Sequence, residues 1–427
     1  MLTLTKIPAS AVLLAIMLVP AARAATPEEL EAKLNALSAQ VSQLQSELAE
    51  LKAQKAPAAT AAAVPASSAA VTAQATEPES KVEWFGYGEL NYSRLTGDSS
   101  SATADVGRFV LGAGYRFDDK TRFVSELEIE HAVSSADDPG EVEVEQAYIE
   151  RRLGERTFAK IGLFLIPVGM LNENHEPTRY YGVFRNSIDT AIIPTTWREG
   201  GVGVQGNTEG GLRWDVGVTT GFNLSKWDAT STEGLEEPLG SIHQELALAA
   251  AGDLSGFVAL NYTGVPGLRL GASVFSGDSA QGQPGFDNNR VTLWEAHARW
   301  NPGNWDLSAL YSHGHIANTA PINLTLVGNP ALIPEGFFGW YVEGAYRLTL
   351  ANEWTLAPFA RYELFNTASS YASLGAGLTP DPLDDEKVLT AGINLDIARG
   401  VVLKLDYLHF DRDDDNDRFD LGVGYQF

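Results

Sequence analysis

Residues 418–427, RFDLGVGYQF, alternate strictly between large apolar side chains and small or polar ones. Successive side chains of a β-strand point to opposite faces, so the two sets lie on opposite faces of the strand. The apolar set consists of Phe419, Leu421, Val423, Tyr425 and Phe427. A membrane barrel strand has this pattern because one face meets lipid and the other meets a polar lumen. Taken alone, the stretch also fits an amphipathic edge strand of a soluble β-sandwich.

Repetition of the pattern favours the membrane barrel. Strand-like alternation recurs in sixteen segments from about Trp84 to the end of the chain. The segments lie near residues 83–93, 107–117, 121–131, 142–152, 156–165, 200–208, 211–222, 254–262, 267–276, 290–300, 303–313, 338–348, 353–365, 387–397, 400–410 and 418–427. Short and long connections alternate between them, as expected of periplasmic turns and outer loops. We therefore predict an all-β fold, a 16-stranded antiparallel transmembrane β-barrel over residues 81–427, preceded by a short N-terminal α-helical coiled coil.

The first residues of the chain predict export. Lys6 precedes the apolar run 11–20, and Ala22-Arg23-Ala24 follows, which is the order of a signal peptide over residues 1–24. The chain has no cysteine, which excludes disulfides and thiolate metal sites. A net charge of −25 argues against nucleic acid as a partner, because binding phosphate backbones needs a basic surface.

Residues 25–55 carry an apolar stripe with the alternating spacing of a coiled coil. The stripe consists of Leu30, Leu34, Leu37, Val41, Leu44, Leu48 and Leu51. A single helix of this length is marginal in water, so the stripe predicts self-association. Its core positions fit dimers as well as trimers. Residues 56–80 are rich in alanine and proline and predict an extended linker between this coiled coil and the barrel.

The alternation also predicts which charged residues face the lumen. The basic pore-wall candidates are Arg108, Arg116, Arg122, Lys160, Arg213, Arg269, Arg299, Arg347, Arg361 and Lys404. Acids share the lumen, namely Glu126, Glu128, Glu130, Glu343, Glu363, Asp396 and Asp406. Charged side chains around a pore select ions. The alternative is that these charges only pair with one another and hold the shape of the wall.

One connection is too long and too rich in polar and aromatic residues to be a simple turn. Residues 162–203 read GLFLIPVGMLNENHEPTRYYGVFRNSIDTAIIPTTWREGGVG. Long loops of this kind are usually functional or disordered, and the apolar content argues against disorder. We predict that residues 166–199 fold into the barrel mouth and narrow a pore. The candidate constriction residues are Glu173, His175, Glu176, Arg179, Arg185, Asp189, Arg198 and Glu199.

This stretch resembles the corresponding part of the phosphate-selective porin O and P family of Gram-negative outer membranes. The resemblance is dense from Gly162 to Gly203, and the general layout fits the chain after about residue 81. It implies a homotrimer of sixteen-stranded barrels whose third outer loop folds inward. In that family it further implies anion capture by basic groups, for which the loop offers Arg179, Arg185 and Arg198. The acids of the same loop are a departure from an uninterrupted basic cluster.

We therefore predict an outer-membrane porin for passive diffusion of ions and small hydrophilic solutes, with phosphate and other anions among the candidates. Export would place the barrel in the Gram-negative outer membrane with a periplasmic N-terminal segment. Expected partners are two further copies of the chain, outer-membrane lipid and lipopolysaccharide, the assembly machinery through the strand ending at Phe427, and peptidoglycan as a further candidate. A tether whose coiled coil contacts the cell wall is the alternative function, and a barrel enzyme is a second one.

Other signals carry less weight. His313 and His315 share a strand face but lack a third ligand at supporting spacing, and residues 411–416 lack the glycine and final glutamate of a calcium loop. No nucleophile motif is present, so we expect no cofactor, no metal site and no enzymatic activity. Residues 241–252 read as a helix within the fourth outer loop.

Overall fold

The computed structural model of the chain describes residues 81–135 and 137–427. They form one closed sheet of sixteen antiparallel transmembrane strands, which confirms the predicted barrel. The strands are β1 (Val82–Leu95), β2 (Thr103–Arg116), β3 (Thr121–Glu130), β4 (Val142–Arg152), β5 (Thr157–Leu165), β6 (Arg198–Asn207), β7 (Leu212–Thr220), β8 (Leu254–Tyr262), β9 (Leu268–Asp278), β10 (Arg290–Trp300), β11 (Trp305–Ile316), β12 (Gly336–Tyr346, continued by Leu348–Thr349), β13 (Thr355–Ser370), β14 (Glu386–Ala398), β15 (Val401–Phe410) and β16 (Arg418–Gln426).

The barrel closes where its last strand meets its first. β1 pairs with β2 on one side and with β16 on the other, with Gly88 opposite Tyr425. The backbone N–H of Phe427 donates to the carbonyl of Gly86 at 2.9 Å. Among the described strands, closure leaves no edge unpaired, which a sheet in lipid requires because no water is available there to satisfy backbone groups.

Lipid and lumen faces alternate as the sequence predicts. On β2, Phe109 and Leu111 are 36% and 37% exposed, whereas the alternating residues Arg108 and Val110 are 5% and 0% exposed. A barrel isolated from its bilayer shows lipid-facing side chains as exposed, so this difference separates outside from inside. Large aromatic residues at strand ends, such as Trp84 and Trp300, are also exposed, as in the interfacial girdles of such barrels.

The outer ends of the strands carry short helical segments. They are α1 (Glu233–Glu236), α2 (Ala320–Leu326), a π-helical turn at Ile188–Ile192, and 3-10 turns at Ser99–Ser101, Leu224–Lys226, Gly240–Ile242 and Asp414–Asn416. Among the described residues, no helix is both long enough and apolar enough to cross a membrane.

The lumen has an apolar half and a polar half. One apolar cluster joins inward residues of β8–β12 to three outer connections, residues 166–197, 221–253 and 317–335. Its largest fully buried members include Trp197, Phe222, Phe275 and Phe337. The opposite wall, formed by β13–β16 and β1–β3, carries mainly charged inward groups, such as Arg108, Glu128, Glu363 and Asp406. The outer loops therefore fill one side of the barrel.

Two sequence predictions need correction. Residues 241–252 are not helical beyond the 3-10 turn at Gly240–Ile242, because Glu245, Leu246 and Leu248 have φ angles of 52°, 59° and 54°. Such left-handed backbone cannot continue a right-handed helix. The inward loop ends at residue 197 and not at 199, because Arg198 and Glu199 already pair with Leu165 and Phe164 in the sheet.

Three predicted segments lie outside the described residues. They are the signal peptide at 1–24, the coiled coil at 25–55 and the linker at 56–80.

Candidate functional site

The loop between β5 and β6, residues 166–197, is the candidate site and is called the constriction loop below. Its base is closed by Asn172. The side-chain amide of Asn172 donates to the carbonyls of Ile166 and Trp197 at 2.7 and 2.8 Å, and its oxygen accepts from the Trp197 N–H at 2.7 Å. Three hydrogen bonds from one buried side chain hold the two ends of the loop together.

An apolar anchor fixes the loop to one wall of the barrel. Ile188 and Ile192 of the π-helical turn pack on β12 at Gly339, where an added Cβ would lie only 2.9 Å from Ile188. Trp197 stacks on Phe222 of the fourth loop and meets Phe275 edge-on, with ring centres 5.1 and 4.4 Å away. This side of the loop is part of the apolar cluster.

The middle of the loop crosses the lumen to the opposite wall. The Tyr181 hydroxyl donates to Asp306 at 3.1 Å, and the Val183 and Ser187 backbone N–H groups donate to Asp406 and Glu363, both at 2.6 Å. The three carboxylates belong to β11, β15 and β13. The loop is therefore tied to strands that lie far from its own base.

A cavity of about 690 Å³ lies on the outer side of this crossing and is called the vestibule below. Its walls come from the polar half of the barrel, from β1–β3 and β13–β16, and its lining includes Tyr180, Phe184 and Arg185 of the loop. Five arginines and eight carboxylates line it. They are Arg108, Arg185, Arg361, Arg412 and Arg418, with Glu89, Asp105, Glu128, Glu130, Glu236, Glu363, Asp384 and Glu386.

A second cavity, of about 880 Å³, lies at the end of the barrel that carries the short turns. It is lined by Thr178 and Arg179 of the loop, by the turn residues 396–401, and by Gln426 and Phe427. The loop segment 178–185 therefore separates two open spaces, one at each end of the barrel.

Charges of both signs meet at this segment. Arg108 forms an ion pair with Glu89 at 2.9 Å, and the Tyr180 hydroxyl donates to the same carboxylate at 3.0 Å. Lys404 lies over the Tyr180 ring, with its Nζ 3.7 Å from the ring centre. Arg185 donates to the Thr196 hydroxyl at 2.9 Å, and in the described part of the chain it forms no ion pair with a carboxylate. Burial and the nearby Arg108 lower the pKa of Arg185 below its usual range.

The other predicted loop residues occupy several environments. Glu173 pairs with Arg213 at 2.8 Å and with Lys160 at 3.7 Å, at the loop base. His175 is buried against Tyr87. Glu176 lies 3.7 Å from Arg179, which is exposed toward the second cavity.

Asp189 belongs to the π-helical turn. It is buried and accepts from the Asn186 amide at 2.7 Å, and burial raises its pKa to about 6.

Two predicted residues are not directed at either cavity. Arg198 pairs with Glu143 of β4 and with Glu245 of the fourth loop, the latter at 2.9 Å. Glu199 is completely buried and accepts hydrogen bonds from Thr220 and Trp197. Both residues connect the third and fourth loops to the wall.

The ten predicted wall cations project from inward faces, and most of them are paired. Eight form ion pairs with carboxylates, namely Arg108, Arg116, Arg122, Lys160, Arg213, Arg299, Arg347 and Arg361. Arg269 forms no ion pair with any residue that the structure describes, and Lys404 lies over the Tyr180 ring without a hydrogen-bond acceptor among those residues. Pairing of the wall, which the sequence left as an alternative, accounts for most of these charges.

Sequence reasoning missed the residues that lie closest to the crossing. These residues are Tyr180, Tyr181 and Phe184, which lie between Arg179 and Arg185 in the sequence. Aromatic residues flanked by two arginines were the sequence feature that could have identified them. The acid Glu89 gave no such signal, because its role depends on strand register.

Comparisons with known proteins agree with this barrel. No family model matches the chain. A relative from Aquifex aeolicus (strain VF5), itself an uncharacterised protein, is 28% identical over 353 residues, which are 80% of this chain and 79% of that protein.

Several solved structures share the fold. Salmonella typhi OmpF, in complex with daunomycin, matches with a TM-score of 0.57 and 14% identity over 81% of this chain and 97% of that one. The outer-membrane channel DcaP of Acinetobacter baumannii matches with a TM-score of 0.51 and 15% identity over 81% of this chain and 97% of that one. A loop L8 deletion mutant of Vibrio cholerae OmpT, an outer-membrane protein, matches with a TM-score of 0.50 and 13% identity over 81% of this chain and 99% of that one. At such identities the likeness concerns the fold, and the described residues form a closed antiparallel barrel of sixteen strands.

Proposed function

We propose that this chain is a porin through which ions and small hydrophilic solutes diffuse passively across the outer membrane. The observation that carries the proposal is the constriction loop, which crosses the lumen between a cavity of about 690 Å³ and one of about 880 Å³. A barrel of sixteen strands is wide enough for an aqueous channel. A loop folded into such a lumen narrows it without any chemistry.

The path we propose runs along the polar half of the barrel. On the other side, Trp197, Phe222 and Phe275 pack against one another, and the outer connections 221–253 and 317–335 add further apolar groups. Ions would lose hydration there without gaining polar partners, which is costly. On the polar side, carboxylates and guanidinium groups line the vestibule down to segment 178–185.

We propose weak selectivity with a local site for anions. Carboxylates outnumber arginines in the vestibule lining, which favours cations at its mouth. At the crossing, however, Arg185 lacks a carboxylate partner within residues 81–135 and 137–427, and Arg108 is its basic neighbour on the wall. Phosphate or another small anion would meet a positive potential at this point. The resemblance to the phosphate-selective family supports testing phosphate first.

Planar-bilayer recording of the purified protein in a salt gradient tests the proposal. We expect stable conductance steps and a reversal potential that reports weak selectivity. Phosphate added to a chloride bath should reduce the current at low concentration if Arg185 and its neighbours capture it. Absence of steps from protein whose folding is verified by circular dichroism would contradict the porin proposal and turn attention to the tether. Steps without phosphate block would remove the phosphate site and leave a general porin.

The setting of the channel is part of the proposal. We infer export by residues 1–24, insertion in the Gram-negative outer membrane among lipid and lipopolysaccharide, and assembly through the strand that ends at Phe427. The heptad stripe of residues 25–55 supports self-association, and the resemblance to the phosphate-selective family favours a homotrimer. Peptidoglycan is the proposed contact of the periplasmic end of this segment.

A further inference from the structure

Three buried carboxylates lie together on the polar wall beside the constriction loop. Glu126 and Glu128 of β3 and Glu145 of β4 are 8%, 2% and 0% exposed. Among the residues that the structure describes, no lysine or arginine forms an ion pair with any of them. The side chain of Arg108 is engaged elsewhere, with Glu89 at 2.9 Å and with the His175 carbonyl at 2.6 Å. Burying carboxylates without a compensating cation or proton is strongly unfavourable.

Two oxygens of this cluster are buried and unpartnered. Within the described residues, Oε1 of Glu128 and Oε1 of Glu145 have no hydrogen-bond donor. The other oxygen of Glu145 accepts from the Tyr87 hydroxyl at 2.9 Å, and one oxygen of Glu126 accepts from the Gln146 amide at 2.6 Å. The cluster therefore has oriented, partly satisfied carboxylates with free acceptor positions.

His175 of the constriction loop turns a ring nitrogen toward these carboxylates. Its Nδ1 lies 2.9 Å from the carbonyl oxygen of Asn172, which can only accept, so Nδ1 carries a proton. In the neutral ring, Nε2 then lies 2.5 Å from the Tyr87 hydroxyl and 3.5 Å from Oε1 of Glu145, and a metal ion bound at this nitrogen would take the place of its contact with Tyr87. A hydrogen bond from the second ring nitrogen to a backbone carbonyl is the usual way in which a metal-binding histidine is oriented.

The distances fit a metal ion better than a direct hydrogen bond. His175 Nε2 and Glu145 Oε1 are 3.5 Å apart, longer than the usual 2.7–3.2 Å of an N–H···O bond. Two ligands at about 2.0–2.2 Å from a tetrahedral zinc ion are separated by about 3.4 Å. One ligand atom from each of Glu126, Glu145 and His175 lies within 4.8 Å of the other two.

We propose that Glu126, Glu145 and His175 bind a divalent metal ion, with Glu128 beside Glu145 as a further oxygen ligand. Carboxylates together with an imidazole suit zinc or manganese better than calcium or magnesium, which prefer oxygen-only ligands. The ion neutralises the buried carboxylates and ties residue 175 of the loop to β3 and β4. The site is independent of the proposed solute and of the direction of selectivity.

Metal binding to the full-length protein in detergent tests the site. After chelator treatment, equilibrium dialysis against Zn²⁺, Mn²⁺ or Ca²⁺ should give one tightly held Zn²⁺ or Mn²⁺ per chain and weaker Ca²⁺ binding. Glu145→Gln and His175→Asn should each weaken Zn²⁺ binding at least tenfold, since even the loss of an outer partner of a metal ligand costs about 10- to 100-fold. X-ray absorption of the zinc-loaded protein should show a nitrogen and oxygen shell with one imidazole.

Two matched controls distinguish this cluster from other carboxylates and histidines that could hold zinc. Glu150→Gln lies on the same strand, is buried and pairs with Arg122 at 2.8 Å outside the cluster, so it should leave Zn²⁺ affinity unchanged. His409→Asn alters the surface group formed by His409, Asp414 and Asp417. Zn²⁺ affinity that falls with His409→Asn but not with His175→Asn would overturn the proposal, as would an absence of tight binding.

Thermal unfolding distinguishes a variant that has lost the metal site from one that is merely less stable. Zn²⁺ should raise the unfolding temperature of the wild-type barrel, because a ligand that binds only the folded state stabilises it. The metal-free Glu145→Gln variant should be at least as stable as the metal-free wild type, because it removes a buried charge, and Zn²⁺ should not stabilise it. A Zn²⁺-free Glu145→Gln variant that is much less stable would instead indicate a direct ion pair between Glu145 and a protonated His175, and would contradict the metal site.

Discussion

Arg185 is the cation that the constriction loop contributes to the vestibule lining. It donates to a threonine hydroxyl, and among the described residues it has no carboxylate partner, whereas Arg361 pairs with both Glu343 and Glu363. A uniformly paired wall gives little net potential. The unbalanced charge of Arg185 is therefore expected to influence a passing ion more than most of the wall cations.

Replacing Arg185 by Gln should shift the channel toward cations. A unit charge about 4 Å from an ion in water contributes about 1 kcal/mol, which corresponds to a change of up to about fivefold in the anion-to-cation permeability ratio. The measurement is the reversal potential in a potassium chloride gradient. Arg412→Gln, at the rim of the same vestibule, is the matched control and should change the ratio less. Equal shifts in the two variants would argue against a special position of Arg185.

Tyr180 is expected to set the width of the crossing. Its ring lies between Glu89 and Lys404, and it lines the vestibule. Tyr180→Ala removes the ring and should increase single-channel conductance. Tyr180→Phe keeps the ring and loses only the hydroxyl contact, so its conductance should remain close to that of the wild type. An unchanged conductance in Tyr180→Ala would show that ions pass elsewhere.

The pH dependence of the loop should involve Asp189. Burial raises the pKa of Asp189 to about 6 in the folded protein, above the value of about 4 for a free carboxyl. The folded state then binds the proton more tightly than the unfolded state, so stability falls as pH rises from about 4 to about 6 and is level above that. The loss is of the order of 2–3 kcal/mol by linkage.

Asp189→Asn removes this titration. We expect the unfolding temperature of the variant, relative to that of the wild type, to increase between pH 4 and pH 6 and then stay constant. Differential scanning calorimetry in detergent at several pH values measures the difference. A constant difference across the range would mean that Asp189 is ionised throughout.

At the scale of elements, the strands could be predicted from sequence and the details of the loops could not. The period of two in strands such as β2 and β16 reflects one local requirement, a lipid face opposite a lumen face, so alternation alone placed the sixteen strands. The folding of the constriction loop into the barrel was predicted from the length and composition of the loop. The cavity lining depends on which strands the loop reaches, and the contact of Val183 with Asp406, 223 positions away, leaves no local signal.

Helix prediction within the fourth outer loop failed for a related reason. Residues 243–250 contain good helix formers, but Gln244 binds the backbone of Ala250 in both directions, at 3.0 and 2.8 Å, and its amide also donates to Gly221. These bonds stabilise an irregular turn over the apolar cluster. Tertiary contacts thus override the helix propensity.

The predicted coiled coil of residues 25–55 can be tested by deletion. We expect the protein that lacks residues 25–55 to insert and conduct, because the sheet closes through β1 and β16 and begins only at Val82. Its oligomers should be less stable, with a larger share of monomers in light scattering after detergent extraction. Complete loss of insertion would contradict a barrel that folds independently of the coiled coil. Unchanged oligomer stability would remove the assembly role of the heptad stripe.

At the scale of the whole molecule, the two halves of the barrel lumen differ in the residues that line them. Outer loops pack an apolar core against β8–β12, while the charged wall of β13–β16 and β1–β3 borders the vestibule. The packed half fixes the position of the constriction loop. The charged half would then provide the passage, so rigidity and permeation would belong to opposite sides of one lumen.

Chemical modification of single cysteines during channel recording tests this division most directly. The chain has no native cysteine, so each introduced thiol is the only target. Thr190→Cys places the thiol in the vestibule lining, and Ser225→Cys places it on the exposed part of the fourth loop, outside that lining. With a charged methanethiosulfonate reagent, we expect a stepwise fall in conductance for Thr190→Cys and no change for Ser225→Cys, with labelling of both verified by mass spectrometry. Full labelling of Thr190→Cys with unchanged conductance would contradict a passage through the polar half of the barrel.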